Sequence, residues 1–504
     1  WASVMPMVDY EQFHKDNVGM ILKEWSQMVK AVDRKHPVIA DNIHSMITAD
    51  GDYHRPHDDW NAAANVDEYG ISFYPKNNPF MQEWTRWEML TGVHSAAKQG
   101  RFWISELQTH HQTMFNPFSY VHSYDLKWWT WEAISHGAKG IVYWKWNPFI
   151  TGVQTFGRGL VDHRGGPTPR SDEAASLSRI IRANDKEFMA YEPEQPNTVI
   201  LYDRLNHDFV KAYTEYYQSY LSTSLYTDSI AGLYKGLWEQ NIPVKFVTPD
   251  DVKRHSIGQY RTLFMTNQVN ISDELAEGLK TYLIEGGTII CDGKFGEIQD
   301  HGQLHETVPG AGLWQTLGFR LLDMEPDNLA FSLDWNGTKL NSEGFYERRD
   351  IDLTADDVRV LASYADGRPA MIEKTVGKGR ILYISTFLWY GYFKNQRTET
   401  SDLIRLMDNE YGLRLHDVSH HEIKVCSLHG ENGRIVFAFN YGQESAEAQI
   451  DFPCEDGTEY EAVDLYSDDV TFLQSNNGRI RVHVDVEARG VTVVKLRKRS
   501  KTGE

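Results

Sequence analysis

Up to Met189, short apolar runs alternate with stretches of helical period. Asp9 with Gln12 three residues on has the form of a capping box that opens a helix. Val18, Ile21, Leu22, Trp25, Met28, Val29 and Val32 follow at helical spacing, and His36-Pro37 ends the pattern. Val38-Ile39-Ala40 predicts a short buried strand tipped by Asp41, Asn42 and His44. A second strand runs from Val66 and finishes on Tyr74-Pro75. An amphipathic helix over about 79–98 leads to a third run, Phe102-Trp103-Ile104, which delivers Glu106 into a loop with Gln108, His110 and His111. A helix over about 124–136 leads to a fourth run, Gly140 to Trp146, and a Gly-rich return precedes a helix over about 171–189.

Strand–helix units in series imply a parallel sheet covered by helices. A complete (β/α)8 barrel needs eight strands and about 250 residues. Four strands are present and the first element is a helix, so the expectation for residues 1–192 is the second half of a (β/α)8 TIM barrel, strands 5–8. Glu192-Pro193-Glu194-Gln195-Pro196 reads as a linker. Beyond it, Val199-Ile200-Leu201, Val244 to Val247, Leu263 to Thr266, Thr288 to Cys291 and Gly379 to Ser385 alternate with helical stretches over about 216–240 and 272–285. These predict an open, doubly wound α/β domain of Rossmann or flavodoxin type over 196–415. Gly286-Gly287 has the form of a helix C-cap. From Ser419 the period changes to short alternating strands separated by turn signals such as Asn432-Gly433 and Asn477-Gly478. A small antiparallel β-sandwich is expected over 419–498, with a loose polar tail.

Composition narrows the function classes. The chain has 504 residues and a formal net charge of −20, which argues against nucleic acid and anionic membranes as partners. No apolar run is long enough to span a bilayer. The start shows no signal-peptide pattern, and three scattered cysteines form neither a metal-ligand spacing nor a disulfide framework, so a cytoplasmic location is expected. The 15 Trp suit carbohydrate, whose apolar faces stack on rings, although large cores also consume them. The mixture of His54, His57, Asp58 and Asp59 lacks a fixed ligand spacing, and no metal is expected. No Gly-x-Gly-x-x-Gly or Walker loop is present, and no cofactor is expected.

With this order in place, Asp67 to Pro75 resembles the sixth barrel strand of glycoside hydrolase family 42 β-galactosidases, Phe102 to Gln108 the seventh, and Trp131 to Trp146 the helix and strand of the eighth unit. The resemblance extends through the α/β domain and terminal sandwich. It implies a retaining exo-β-glycosidase, in which two carboxylates about 5–5.5 Å apart serve as nucleophile and acid/base. On that resemblance Glu106 matches the nucleophile and Tyr74 the aromatic that hydrogen-bonds it. Trp144 and Trp146 match walls of the sugar subsite, Trp1 a tryptophan lining the same pocket, and Asn42 an asparagine at the fifth strand tip.

Two departures stand out. The family's acid/base belongs to an Asn-Glu pair at the tip of the fourth strand, and none precedes Trp1. Glu68 lies before its strand tip and Glu132 on a helix, so neither suits as a substitute. The missing half barrel is expected from a second polypeptide or from a longer chain. Second, Gln154 and Gly157 stand where the family has a Glu and a His that grip galactose, which opens the choice of sugar. The resemblance also implies a homo-oligomer, a trimer formed through the middle domain. Alternatives are a non-catalytic glycan-binding or scaffold protein of the same fold, a β-glycosidase of different sugar specificity, or an endo-acting barrel enzyme.

Overall fold

Each apolar run of the first segment becomes a strand, and the helical periods become helices. In the computed structural model the described residues are 3–42, 58–76, 81–110, 119–155, 157–216, 222–326, 330–335, 337–395 and 398–499. Their contacts gather the chain into two compact units, one of residues 18–195 and 415–504, the other of residues 1–17 and 196–414.

In the first unit, β1 (Ile39–Asn42), β2 (Glu68–Phe73), β3 (Phe102–Gln108) and β4 (Ala138–Trp144) form one sheet in chain order, every pair parallel. Helix α1 (Met5–Val32) is divided between the units after Asn17, and α2 (Asp59–Ala64), α3 (Glu83–Ala96), α4 (Ser123–Ser135), α5 (Pro169–Ala183) and α6 (Asp185–Ala190) belong to the first. Helix α5 starts as its sequence dictates, with Thr168 accepting from the Ser171 amide and Pro169 at a position whose N–H would be unpaired anyway. The predicted start of α1 at Asp9 is too late. The helix begins at Met5, whose N–H is received by the Ser3 hydroxyl at 3.1 Å. Pro6 is tolerated there because the first helical turn has no intrahelical acceptors to satisfy.

Helix α4 is the hydrophobic hinge of this unit. Trp129 and Trp131 are fully buried, and the Trp131 ring lies 5.8 Å from Phe437 of the terminal sandwich. A buried ion pair joins Arg86 of α3 to Glu132 of α4 at 2.8 Å, and the Tyr441 hydroxyl donates to the same carboxylate at 2.6 Å. The sandwich has a six-stranded sheet that includes Gly433–Asn440 and Val491–Lys498, and a three-stranded sheet built on Ala446–Pro453 and Arg479–Val486. Strict alternation of buried and exposed residues along Arg479–Val486 shows one face on the core and one on solvent. The short strand Glu192–Pro193, from the expected linker, adds to the six-stranded edge by pairing with Leu428 and His429.

In the second unit the parallel strands lie in the order Val244–Val247, Thr198–Leu201, Thr262–Asn270, Thr288–Ile298, Gly379–Ile384. Numbered along the chain this is 2-1-3-4-5, the flavodoxin-like doubly wound order. Antiparallel strands then extend the sheet from Pro369–Val376 outward, a block that lacks the helical spacers by which sequence reading recognises this fold. The helix expected over 216–240 is Leu225–Glu239, and a separate helix, Arg204–Tyr216, precedes it. Gly286 caps its helix at φ 122°, as the Gly-Gly pair predicted.

Candidate active site

The site begins with a bulge. In β2 and β3, Ile71 pairs with Ile104 but Ser72 pairs with Glu106, so Ser105 is an extra residue in β3. Simple alternation would place Glu106 in the row of Ile104, which is fully buried. The extra residue turns Glu106 out of that row, and it is half-buried. Gly70 makes the bulge possible, because a Cβ there would sit 2.3 Å from the Ser105 hydroxyl.

Tyr74 follows the last residue of β2, and its hydroxyl donates to the Glu106 carboxylate. Loss of hydration and the neighbouring Glu106 raise the Tyr74 phenol far above its ordinary value, so it stays a donor at every working pH. The strand tips are tied together by short polar links. The Lys76 N–H donates to Gln108 at 2.8 Å, and its ammonium reaches Asp125 at 2.6 Å. The Thr109 hydroxyl donates to the Trp144 carbonyl at 2.8 Å and accepts from the Lys145 N–H at 2.8 Å.

Trp144 and Trp146 sit at and beyond the tip of β4, and neither belongs to the core. Trp144 is half-buried with its ring 6.1 Å from Phe149, and Trp146 is 64% exposed. The Lys145 ammonium is buried over the Phe149 ring, and desolvation lowers its pKa. Gln154 is half-buried, and its side-chain carbonyl oxygen is out of solvent and, among the described residues, without a hydrogen-bond partner. Asn42 donates to Asp59 of α2 at 3.3 Å, and that carboxylate also takes the Tyr69 hydroxyl at 2.6 Å. These bonds commit its amide to holding α2 against the sheet. Trp1, His44, His54, His57 and His111 lie outside the described residues. Of the remaining metal candidates, Asp58 caps α2 by accepting from Trp60 and Asn61. Among the described residues, Glu447, His483 and Asp485 are near enough to share an ion, exposed on the terminal sandwich.

The carboxylates weighed as stand-ins for the acid are both occupied. Glu68 takes the Trp103 indole N–H, and Glu132 is held by Arg86 and Tyr441. The sequence reading passed over Asp41. This residue lies on β1 beside Asn42, accepts from the Ser72 hydroxyl at 2.9 Å, and feels the charge of Glu106. Its signal was present in the alternation of β1, where neighbours face opposite ways and only one of Asp41 and Asn42 can turn toward the strand-tip carboxylate.

A strand-borne carboxylate with a tyrosine donor thus stands at the carboxyl ends of four parallel strands, the edge at which barrel folds place their functional groups. Residues 4–183 match the family model described as β-galactosidase, and residues 197–414 match the model described as β-galactosidase trimerisation domain. The chain belongs to glycoside hydrolase family 42. A β-galactosidase of Clostridium cellulovorans is 21% identical over 87% of this chain and 63% of its own length. One of Heyndrickxia coagulans is 24% identical over 57% of this chain and 40% of its own length. The β-galactosidase structure from Bacillus circulans superposes with a TM-score of 0.78 at 16% identity, over 97% of this chain and 67% of that one. That from Halorubrum lacusprofundi gives 0.73 at 16% identity, over 97% and 68%. The chain thus spans less than two thirds of the curated relatives named here. Among the described residues no helix is long and apolar enough to cross a membrane.

Proposed function

We propose that this chain carries the nucleophile of a retaining exo-β-glycosidase of β-galactosidase type. The observation that carries the reading is the Tyr74–Glu106 hydrogen bond on adjacent strand tips. In the first step a Glu106 oxygen attacks the anomeric carbon while the glycosidic C–O bond breaks, and the leaving oxygen takes a proton from the acid/base. The product is a glycosyl ester on Glu106. Water then gives its proton to the same acid/base, now ionised, and attacks the anomeric carbon, releasing the sugar and the Glu106 carboxylate. Tyr74 aims one oxygen of Glu106 by donating to it. Trp144 and Trp146 offer flat apolar faces to the sugar ring. Gln154 presents an amide, which accepts one hydroxyl and donates to another where a carboxylate would only accept, so sugars other than galactose fit this reading.

The acid/base comes, on this proposal, from the first half of a barrel, supplied by another polypeptide or by a longer form of this chain. The surface supports this. Among the described residues β1 and β4 are the edge strands of the sheet, and Ile39 and Val142 on them are exposed. The later part of the apolar stripe of α1 is exposed, with Trp25 at 63% and Met28 at 69%. The trimerisation-domain match supports a homo-oligomer of three barrel-bearing units, for which light scattering should return three times the unit mass. A 2-deoxy-2-fluoro β-galactoside with a good leaving group tests the nucleophile. Peptide mass spectrometry of the completed barrel should find the sugar on Glu106; an unlabelled chain under those conditions contradicts the reading and leaves a glycan-binding protein.

A further inference from the structure

The second carboxylate at the strand tips has no role in the scheme above. Asp41 sits on β1, one strand removed from β3, and pairs in register with Gly70. Gly70 is the residue whose missing side chain leaves room for Ser105. The Ser72 hydroxyl donates to Asp41 at 2.9 Å, and Ser72 is itself the register partner of Glu106. The Ser105 hydroxyl lies near the same carboxyl, is buried, and among the described residues makes no hydrogen bond. Asp41 therefore touches the residue paired with Glu106 and faces the bulge residue that precedes it.

We propose that Asp41 is the positioning residue of this site: its carboxylate holds Ser72, the register partner of Glu106, beside the Ser105 bulge and so fixes the bulge that presents Glu106. This rests on the reading of Glu106 as nucleophile. A β-bulge has an unpaired residue and a locally broken ladder, so something beyond the ladder must hold its conformation. An ionised carboxylate is suited to this, since it accepts at both oxygens and forms stronger bonds with hydroxyls than a neutral acceptor. The charged group acting on Asp41 is Glu106 from β3, and Tyr74 from β2 is the titratable neighbour of both. On the α2 side, Asp59 is taken up by Tyr69 and Asn42. Dehydration at the strand tip raises the Asp41 carboxyl above its ordinary range, the two serines offset part of that, and Glu106 adds to it. The bulge should therefore loosen on acidification before an ordinary carboxylate would protonate.

The test is hydrogen exchange by mass spectrometry on the full chain, following peptides that cover Phe102 to Gln108. Asp41→Asn keeps the shape and removes the charge. Exchange at Ser105 to Leu107 should rise about tenfold, with the strand Thr288–Ile298 unchanged as the measure of global stability, and Asp41→Glu should recover part of the loss. After correction for intrinsic rates, the wild type should lose protection on acidification and Asp41→Asn should not. Exchange within twofold of wild type, or an identical acid response, overturns the proposal. In the completed barrel, Asp41→Asn should also slow labelling of Glu106 by a fluoroglycoside about tenfold. Loosening of the bulge without any labelling in the wild type would reject Glu106 as nucleophile while keeping Asp41 as the anchor. Normal labelling with normal exchange in Asp41→Asn would do the reverse.

Discussion

Both parallel sheets of this protein end in acids and amides at their carboxyl edges, yet the two edges are built in opposite ways. In the doubly wound domain, Asp203 accepts from the amides of Leu205 and Asn206 and from Gln268, at 3.0, 3.2 and 2.7 Å. Asn267 donates to Ser229 at 2.8 Å and accepts from the Lys294 amide at 3.2 Å, and Asn206 bridges it to Asn270. Asp203, Asn206, Ser229, Asn267, Gln268, Asn270 and Lys294 are all buried. At the barrel edge, Glu106 is half-exposed and, among the described residues, takes its hydrogen bond from Tyr74. A strand-tip acid is thus not a site by position alone. A closed polar web rigidifies its edge, whereas a carboxylate that is aimed by one donor and open to solvent is free to meet a substrate.

The comparison can be broken most sharply at Glu106. In the completed barrel Glu106→Gln should lower turnover of an aryl β-galactoside by roughly 10⁴-fold or more, as loss of a covalent nucleophile does. Residual turnover near wild type would place the chemistry elsewhere. The next effect concerns stability. Glu132→Ala strips the buried Arg86 of its partner and leaves an uncompensated charge, which should cost about 3–5 kcal/mol in a urea denaturation. A loss under 1 kcal/mol would mean that the α3–α4 junction relaxes or admits water.

The closed edge makes a prediction about pH. Burial raises Asp203 to about 6 and Asp292 to about 7. Their unfolded forms lose the proton near pH 4, so between about pH 4 and 7 the native state binds more protons and its stability falls as pH rises. For Asp292 the full difference is about 4 kcal/mol at 1.36 kcal/mol for each pKa unit. Relative to Asp292→Asn, the wild type should therefore lose stability between pH 4 and pH 8, read as the gap between the two denaturation midpoints. A constant gap would mean that Asp292 is not protonated in the native domain. The smallest effect is expected at Tyr74. Tyr74→Phe removes the donor that aims Glu106 and should reduce turnover about 10- to 100-fold, an effect of 1.4 to 2.7 kcal/mol, with little change in stability.

Much of this was legible in the chain. Phe102 to Ile104 followed by Glu106 identifies a buried strand that ends in an acid, and Tyr74 before Pro75 marks the tip of its neighbour. The parallel sheet of the middle domain follows from the alternation of its strands with helices, while the order of those strands does not. What stayed hidden depends on contacts that no local pattern records. The bulge at Ser105 shifts register by one residue, so the facing of Glu106 could not be read from period two. The stripe from Val18 to Val32 has the spacing of a core helix, but Trp25 and Met28 are exposed in this chain, because spacing reveals an apolar face and not what covers it. The antiparallel strand Thr338–Glu343 is polar or charged at every position but Leu340 and so carries no apolar alternation to read.

The central claim is that Glu106 belongs to a retaining site completed by the other half of a barrel. The measurement that tests it most directly is hydrolysis of 4-nitrophenyl β-galactoside by the full chain, alone and after co-folding with a first half of a family 42 barrel that carries the strand-four Asn-Glu pair. The account predicts turnover only when both parts are present and Glu106 is intact. Equal turnover by the chain alone, or by the reconstituted Glu106→Gln variant, would contradict it.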